Sequence, residues 1–274
     1  MKSILISVAP NGARKQQVDI PTLPISPEEL ALEARRCLDA GVALFHLHIR
    51  NEDGSHSLDP ERYRRAIQAI RLEVGMELIL QISTETCEIF APEDIRYLVT
   101  TLWPEAASIG VRDLIPGIEH EAPARAFLSE ALAHSVMIQY ILYSEDDIAY
   151  FSDLIRRGII PHQKRFLILL VLGKKTGFVA TPDMLHPLLA TLNTTAHSFD
   201  YDWALCAFGP QELDCMCDAV AHGGWVRIGF ENNHVLSTGV PASHNGALIE
   251  QFTASLPTDQ RYFTAAEFRD YCNR

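Results

Sequence analysis

The residues best suited to chemistry in this chain lie in Phe45-His46-Leu47-His48-Ile49-Arg50. An apolar residue at every second position marks a strand, whose side chains alternate between two faces. Phe45, Leu47 and Ile49 then share one face, and His46, His48 and Arg50 the other. Imidazoles at i and i+2 on one face reach a single metal ion, although strand histidines can also be hydrogen-bonded core residues. A second stretch, Val226-Arg227-Ile228-Gly229-Phe230-Glu231, repeats the alternation and places Arg227, Gly229 and Glu231 opposite the apolar set. Two histidines and a carboxylate form a common catalytic zinc set with a fourth position open to substrate or water. Arg227 and Glu231 can alternatively pair with each other at a rim. Gly229 is expected to leave space over the metal.

Other polar residues carry less signal. Gln81 and Ser83 share a strand face, with Glu85 two residues further on, and Ser83 can either hydrogen-bond a substrate carboxylate or cap the turn. Arg14 and Lys15 follow the first apolar run and can receive an anionic group or simply be solvated. His56, in Asp53-Gly54-Ser55-His56-Ser57, reads as a turn residue on the surface. His162, His186, His197, His222, His234 and His244 show no ligand spacing and receive no role.

These side chains need a scaffold, and the hydrophobic pattern supplies one. Apolar β-branched runs at 4–9, 43–49, 78–83, 106–110, 136–143, 166–172, 203–208 and 225–230 alternate with segments of helical periodicity. Helix starts are marked by Ser26-Pro27-Glu28-Glu29 and Asp59-Pro60-Glu61, each a capping residue followed by proline and acids. Eight such units demand parallel strands and fit an α/β fold of the closed (β/α)8 TIM-barrel type, one domain over residues 1–274. Apolar strand faces then pack on the outer helices, and the histidines point into the mouth at the strand ends. An open doubly wound sheet is the alternative, but Pro10-Asn11-Gly12-Ala13 stands where its glycine fingerprint belongs. Gly173-Lys174-Lys175-Thr176-Gly177 lacks the spacing of a phosphate-binding loop and reads as a plain loop.

Composition narrows the function. The 274 residues hold 23 Lys+Arg against 35 Asp+Glu, a net charge of −12 with no basic cluster, which argues against nucleic acid and anionic membranes. No apolar run approaches the length of a membrane span. The six cysteines are scattered without zinc-finger spacing, as in a reduced, cytoplasmic protein. A small-molecule enzyme is the expectation.

The sequence resembles the β-keto acid cleavage enzymes, the family of 3-keto-5-aminohexanoate cleavage enzyme. The likeness runs through Ala9-Pro10-Asn11-Gly12-Ala13, residues 40–50, Asp53-Gly54, Gln81-Ile82-Ser83-Thr84, Pro104-Glu105-Ala106-Ala107-Ser108, Val171-Leu172-Gly173 and residues 223–233. It implies a (β/α)8 barrel, commonly a homo-oligomer, with Zn2+ held by His46, His48 and Glu231. It also implies a reaction of a β-keto acid with acetyl-CoA that yields acetoacetate and a new acyl-CoA. In that likeness Arg227 assists the thioester chemistry and Ser83 holds the substrate carboxylate. Gly12, Arg14, Ser108 and Tyr140 are the further candidates for substrate contacts.

Three departures from the family pattern change the expectation. Asn232 stands where the family has the aspartate proposed to remove the C2 proton, and an amide cannot accept that proton. Glu85 stands where the family usually has glycine, and is the candidate replacement base. Arg14 replaces the acid that grips a substrate amine, and Tyr140-Ile141-Leu142-Tyr143 ends strand five where the family tends to carry another acid. The Arg14 and strand-five changes predict a substrate without an ammonium group, a neutral or dicarboxylic β-keto acid. The competing expectations are a metal-dependent barrel hydrolase and a zinc-binding member that has lost catalysis.

Overall fold

A computed structural model of the chain describes residues 3–173, 179–196 and 199–273. The loop residues Lys174, Lys175, Thr176 and Gly177, and His197, lie outside the described residues.

Eight parallel strands close into a barrel: β1 (Ile6–Val8), β2 (Leu44–Leu47), β3 (Ile79–Ser83), β4 (Ala106–Gly110), β5 (Met137–Leu142), β6 (Phe166–Leu172), β7 (Tyr201–Ala207) and β8 (Trp225–Ile228). Each pairs with the next in sequence, and β8 closes on β1 with Ser7 opposite Arg227. The outer layer is α1 (Pro27–Asp39), α2 (Pro60–Val74), α3 (Pro92–Leu102), α4 (Glu121–Ala133), α5 (Glu145–Arg156), α6 (Leu185–Thr195), α7 (Glu212–Ala221) and α8 (Asn245–Ala254), with a C-terminal α9 (Ala265–Asn273). Among the described residues no helix is long and apolar enough to cross a membrane.

Local chemistry explains the helix boundaries. Ser26 and Glu29 form a reciprocal capping box ahead of Pro27, and Asp59 accepts from the Glu61 amide ahead of Pro60. Leu30, Ala34 and Cys37 line the buried face of α1, and Tyr63, Ala66, Ile70 and Val74 that of α2, at helical spacing.

Strand alternation sorts the interior into layers. Val8, Phe45, Leu47, Ile82, Tyr140, Leu170 and Ile228 face the helices, while Leu5, Leu44, Ile79, Ala106, Leu169, Ala204 and Trp225 fill the barrel at the strand starts. Below them α9 brings Phe268 against Trp225, ring centroids 5.2 Å apart and nearly perpendicular, with Phe263 at 5.5 Å. This apolar plug carries part of the stability of the barrel. Phe268→Ala is expected to destabilise the protein by about 3–5 kcal/mol, measured by denaturant unfolding, because Phe268 is fully buried and the cavity has little freedom to collapse. Above the plug the interior turns polar, with Ser7, His46, Gln81, Ser108, Gln139 and Arg227 all buried.

Candidate active site

His46, on β2, points into this polar layer, with Gln81 of β3 beside it in register. Gln81 donates through Nε2 to Gln139 Oε1 at 3.2 Å, so its own oxygen faces His46 Nδ1 at 2.9 Å. That oxygen can only accept. His46 therefore carries its proton on Nδ1 and its electron pair on Nε2. His48 follows the end of β2, and its Nε2 lies 3.1 Å from His46 Nε2. Glu231 completes the group, with Oε2 3.2 Å from His48 Nε2 and 3.7 Å from His46 Nε2.

The group fits a metal ion. A tetrahedral ion with bonds of about 2.0–2.1 Å holds its ligand atoms about 3.3 Å apart, and the three separations bracket that value. Glu231 Oε2 is buried without a well-formed hydrogen bond. Beside the three residues is a void of ≈ 20 Å³, lined also by Ser83, Glu85, Asp113, Tyr143 and Arg227, about the volume that one water-sized occupant needs. Burial and the Arg227 charge hold His46 well below its ordinary pKa, so it is neutral as a ligand must be. Desolvation pushes Glu231 upward, yet Arg227 and His48 outweigh it and leave the carboxyl well below its usual range. Arg227 donates to Glu231 Oε1 at 3.2 Å and to Cys206 Sγ at 3.3 Å, so the expected rim pair and the ligand set coexist on the two oxygens of one carboxylate.

Glycines and long-range hydrogen bonds place Glu231. It lies in a turn just after β8, its amide donating to the Ala9 carbonyl at 3.1 Å. Gly229 has φ +144°, and a Cβ there would sit 2.4 Å from the Ala9 oxygen. The absent side chain thus lets the ends of β8 and β1 approach, and does not clear space over the metal as its strand position suggests. Gly12 is the glycine that packs on Glu231: at φ +62°, a Cβ would lie 2.6 Å from Glu231 Cγ. Gly12→Ala is therefore expected to displace Glu231 and lower metal affinity by at least about tenfold, read by metal titration with the fold intact by circular dichroism.

Arg50 does not join the histidines in the mouth. The chain leaves the barrel after Leu47, and Ile49–Arg50 pairs antiparallel with His56–Ser57. The Arg50 guanidinium turns to the loop after β1, donating to the carbonyls of Gly12 at 2.6 Å, Lys15 at 2.9 Å and Gly54 at 2.8 Å. It clamps the loop that presses Gly12 on Glu231. His56 is buried rather than on the surface, and its Nε2 donates to the Glu85 carbonyl at 2.6 Å.

The remaining candidates separate. Glu85 lines the void beside the histidines and also a neighbouring cavity of ≈ 150 Å³ formed with Asn11, Gly12, Arg14, Lys15, Phe208 and Glu231. Ser83 lines the void while its Oγ accepts from the Glu85 amide at 3.2 Å, so both roles open to it are compatible. Lys15 is partly buried and donates to the Phe230 carbonyl at 2.6 Å, and desolvation lowers its pKa. Ser108 is buried in the polar layer, opposite Ser83 and Gln139 in register, but borders neither space. Tyr140 faces the helices, its ring tilted at 45° against Phe151 and its hydroxyl accepting from Gln163, because its parity on β5 is the outward one. Tyr143, of the opposite parity, lines the void instead. Asn232 turns away from the void, donating to the Arg227 carbonyl at 3.0 Å and to Glu212 Oε1 at 3.3 Å.

Two carboxylates in the site escape sequence reasoning. Asp113 borders the void from the helical turn after β4, accepts from Thr86 Oγ1 at 3.3 Å, and is raised above its ordinary pKa by burial. Glu212, at the start of α7, is buried behind the β8 turn and accepts from the Gly229 amide and from Asn232 and Asn233. Desolvation pushes it up to about 8. In the sequence it is indistinguishable from any acid in the first turn of a helix.

Residues 3–272 match the family model described as beta-keto acid cleavage enzyme. The chain belongs to the β-keto acid cleavage enzyme family. A 3-keto-5-aminohexanoate cleavage enzyme of Acetoanaerobium sticklandii is 28% identical over 256 residues, covering 92% of this chain and 90% of that protein. A 3-oxoadipate:acetyl-CoA acetyltransferase of Cupriavidus necator is also 28% identical over 256 residues, covering 91% and 87%. Among solved structures, apo ObcA superposes with a TM-score of 0.74 at 17% identity, covering 92% of this chain and 66% of its own, a likeness of fold. Membership in the β-keto acid cleavage family accords with the closed barrel and with the His46, His48 and Glu231 group at its mouth.

Proposed function

We propose that the chain is a zinc-dependent enzyme that condenses a β-keto acid with acetyl-CoA and releases acetoacetate and a new acyl-CoA by retro-Claisen cleavage. The observation that carries this is the buried His46, His48 and Glu231 group in a member of this family. Two imidazoles and one carboxylate with an open side suit zinc better than a hard cation that prefers oxygen alone. When bound there, the ion supplies a Lewis acid that favours enolate formation from a β-keto acid.

The chain's own groups do the rest. Ser83 holds the substrate carboxylate at the edge of the void. Glu85 takes the C2 proton, since Asn232 is an amide engaged with Glu212. Arg227, permanently charged and buried, stabilises negative charge on the thioester oxygen as the new carbon–carbon bond forms and the CoA thiolate leaves; that thiolate then adds to the substrate's keto carbon, the bond from that carbon to C2 breaks to give the new acyl-CoA, and the acetoacetate enolate takes the proton back from Glu85. We assign the CoA arm to the larger cavity of ≈ 550 Å³ that shares Tyr143 and Val171 with the void.

Substrate choice follows from the ≈ 150 Å³ cavity, whose lining includes exposed Arg14 and partly buried Lys15. These two cations offset Glu85 and Glu231 on the same wall, so the cavity suits a neutral or anionic tail better than an ammonium group. One relative is named for 3-oxoadipate, a dicarboxylic β-keto acid. The test is a panel of β-keto acids with zinc-loaded protein, with and without acetyl-CoA, and mass detection of acetoacetate and acyl-CoA. Neutral or dicarboxylic substrates are expected to turn over at least about tenfold better than 3-keto-5-aminohexanoate. Turnover independent of acetyl-CoA would point to a hydrolase, and zinc retention without any product to a binding protein.

A further inference from the structure

On the outer flank of the barrel, His186 of α6 meets Asp218 of α7 and His222 at the C-cap of that helix. His186 Nε2 lies 3.2 Å from Asp218 Oδ2, and His222 Nδ1 lies 3.4 Å from Asp218 Oδ1. The two imidazole centroids are 5.2 Å apart, and a ligand atom from each of the three residues lies within 4.8 Å of the others. Both rings are about half exposed, with side-chain exposures of 54% and 45%, so an ion reaches them from solvent. Asp218 Oδ2, by contrast, is buried and no hydrogen bond satisfies it. A buried carboxylate oxygen whose near neighbour is an imidazole nitrogen at 3.2 Å, without a well-formed hydrogen bond, is stabilised by a cation held between the two.

The surroundings favour positive charge. The buried Cys215 thiol, one turn earlier on α7, is pushed up to about 12 by desolvation and by the surrounding acids Asp214, Glu212, Asp218 and Asp183. His222 caps the C-terminus of α7, where the exposed carbonyls add negative potential. Its Nδ1 also donates to the Asp218 carbonyl at 2.9 Å, which holds the ring over the helix end with an electron pair at Nε2.

We propose that His186, Asp218 and His222 form a second binding site for a divalent ion of the Zn2+, Ni2+ or Cu2+ class, clipping α6 to α7. Two imidazoles select such ions over Mg2+ and Ca2+, which prefer all-oxygen shells. The two ligands on α7 stand at i and i+4 on one face of that helix, and the third comes from its neighbour, so the ion bridges two elements. No part of this site touches the barrel mouth, and it stands or falls independently of the proposed reaction.

The test is calorimetric titration of the full chain, first stripped with a chelator, with Zn2+. The wild type is expected to show two binding steps, and His46→Ala only the one from the flank. In His186→Ala the flank step disappears, and in His222→Gln it weakens by about a hundredfold, the upper end of what loss of a mere supporting partner costs. The mouth step, unchanged in both, reports that the variants are folded. Zinc is also expected to raise the melting temperature further at concentrations that fill the second site, a shift lost in His186→Ala. Titration with Mg2+ is expected to show no flank step. A single step in the wild type, or a second step unchanged in both flank variants, overturns the proposal.

Discussion

His46→Ala is expected to abolish metal retention and acyl-CoA formation together, with turnover reduced by more than about a hundredfold. Its Nε2 is one of three ligand atoms that sit 3.1–3.7 Å apart in a buried space. Alanine cannot replace it, and the surrounding Gln81 carbonyl loses its donor at the same time. Gln81 remains bonded to Gln139, so it stays tied into the polar layer and the barrel is expected to fold. Elemental analysis of the purified variant reports the metal, and the product assay reports the chemistry. A variant that keeps turnover after losing its metal would separate the two and sink the metal-dependent mechanism.

Glu85→Gln is expected to lower turnover by about 10²–10⁴-fold, the usual contribution of a positioned general base, while leaving metal content intact. The change preserves shape and the backbone contacts that hold residue 85, namely its amide to Ser83 Oγ and its carbonyl from His56. Only the proton-accepting oxygen is lost. Asp113 is the control, because it borders the same void and burial raises its affinity for a proton. Full activity in Glu85→Gln together with a large loss in Asp113→Asn would move the base to Asp113. Restoring the family acid with Asn232→Asp is a poor rescue on this geometry, since residue 232 faces buried Glu212 rather than the void, and an acid there removes the amide donor and competes with Glu212 for a proton.

The parts of the site legible from sequence were those encoded by strand parity. An alternating run tells which side chains share a face, and it placed His46 and Arg227 inside and Phe45, Leu47, Val226 and Ile228 outside. Parity fails where the strand stops. The alternation in the sequence continues to Arg50 and predicts it inward, but the backbone leaves the barrel after Leu47 and the side chain clamps the first loop instead. Tyr140 shows the reverse case, since parity along β5 assigns it outward and Tyr143 inward, although the two are close in sequence.

By itself the sequence determined the eight-unit barrel, the helix caps and the residue types of the His46, His48 and Glu231 group, because hydrophobic period, capping chemistry and residue class are local properties. Only the tertiary structure decided which glycine packs on Glu231, why Asn232 turns from the void, that Asp113 borders the site and Glu212 braces it from behind, and that His186 meets Asp218 and His222 on the flank. Each of these depends on how far one element slides against another. That register is set by packing across the whole core, and no short stretch of residues encodes it.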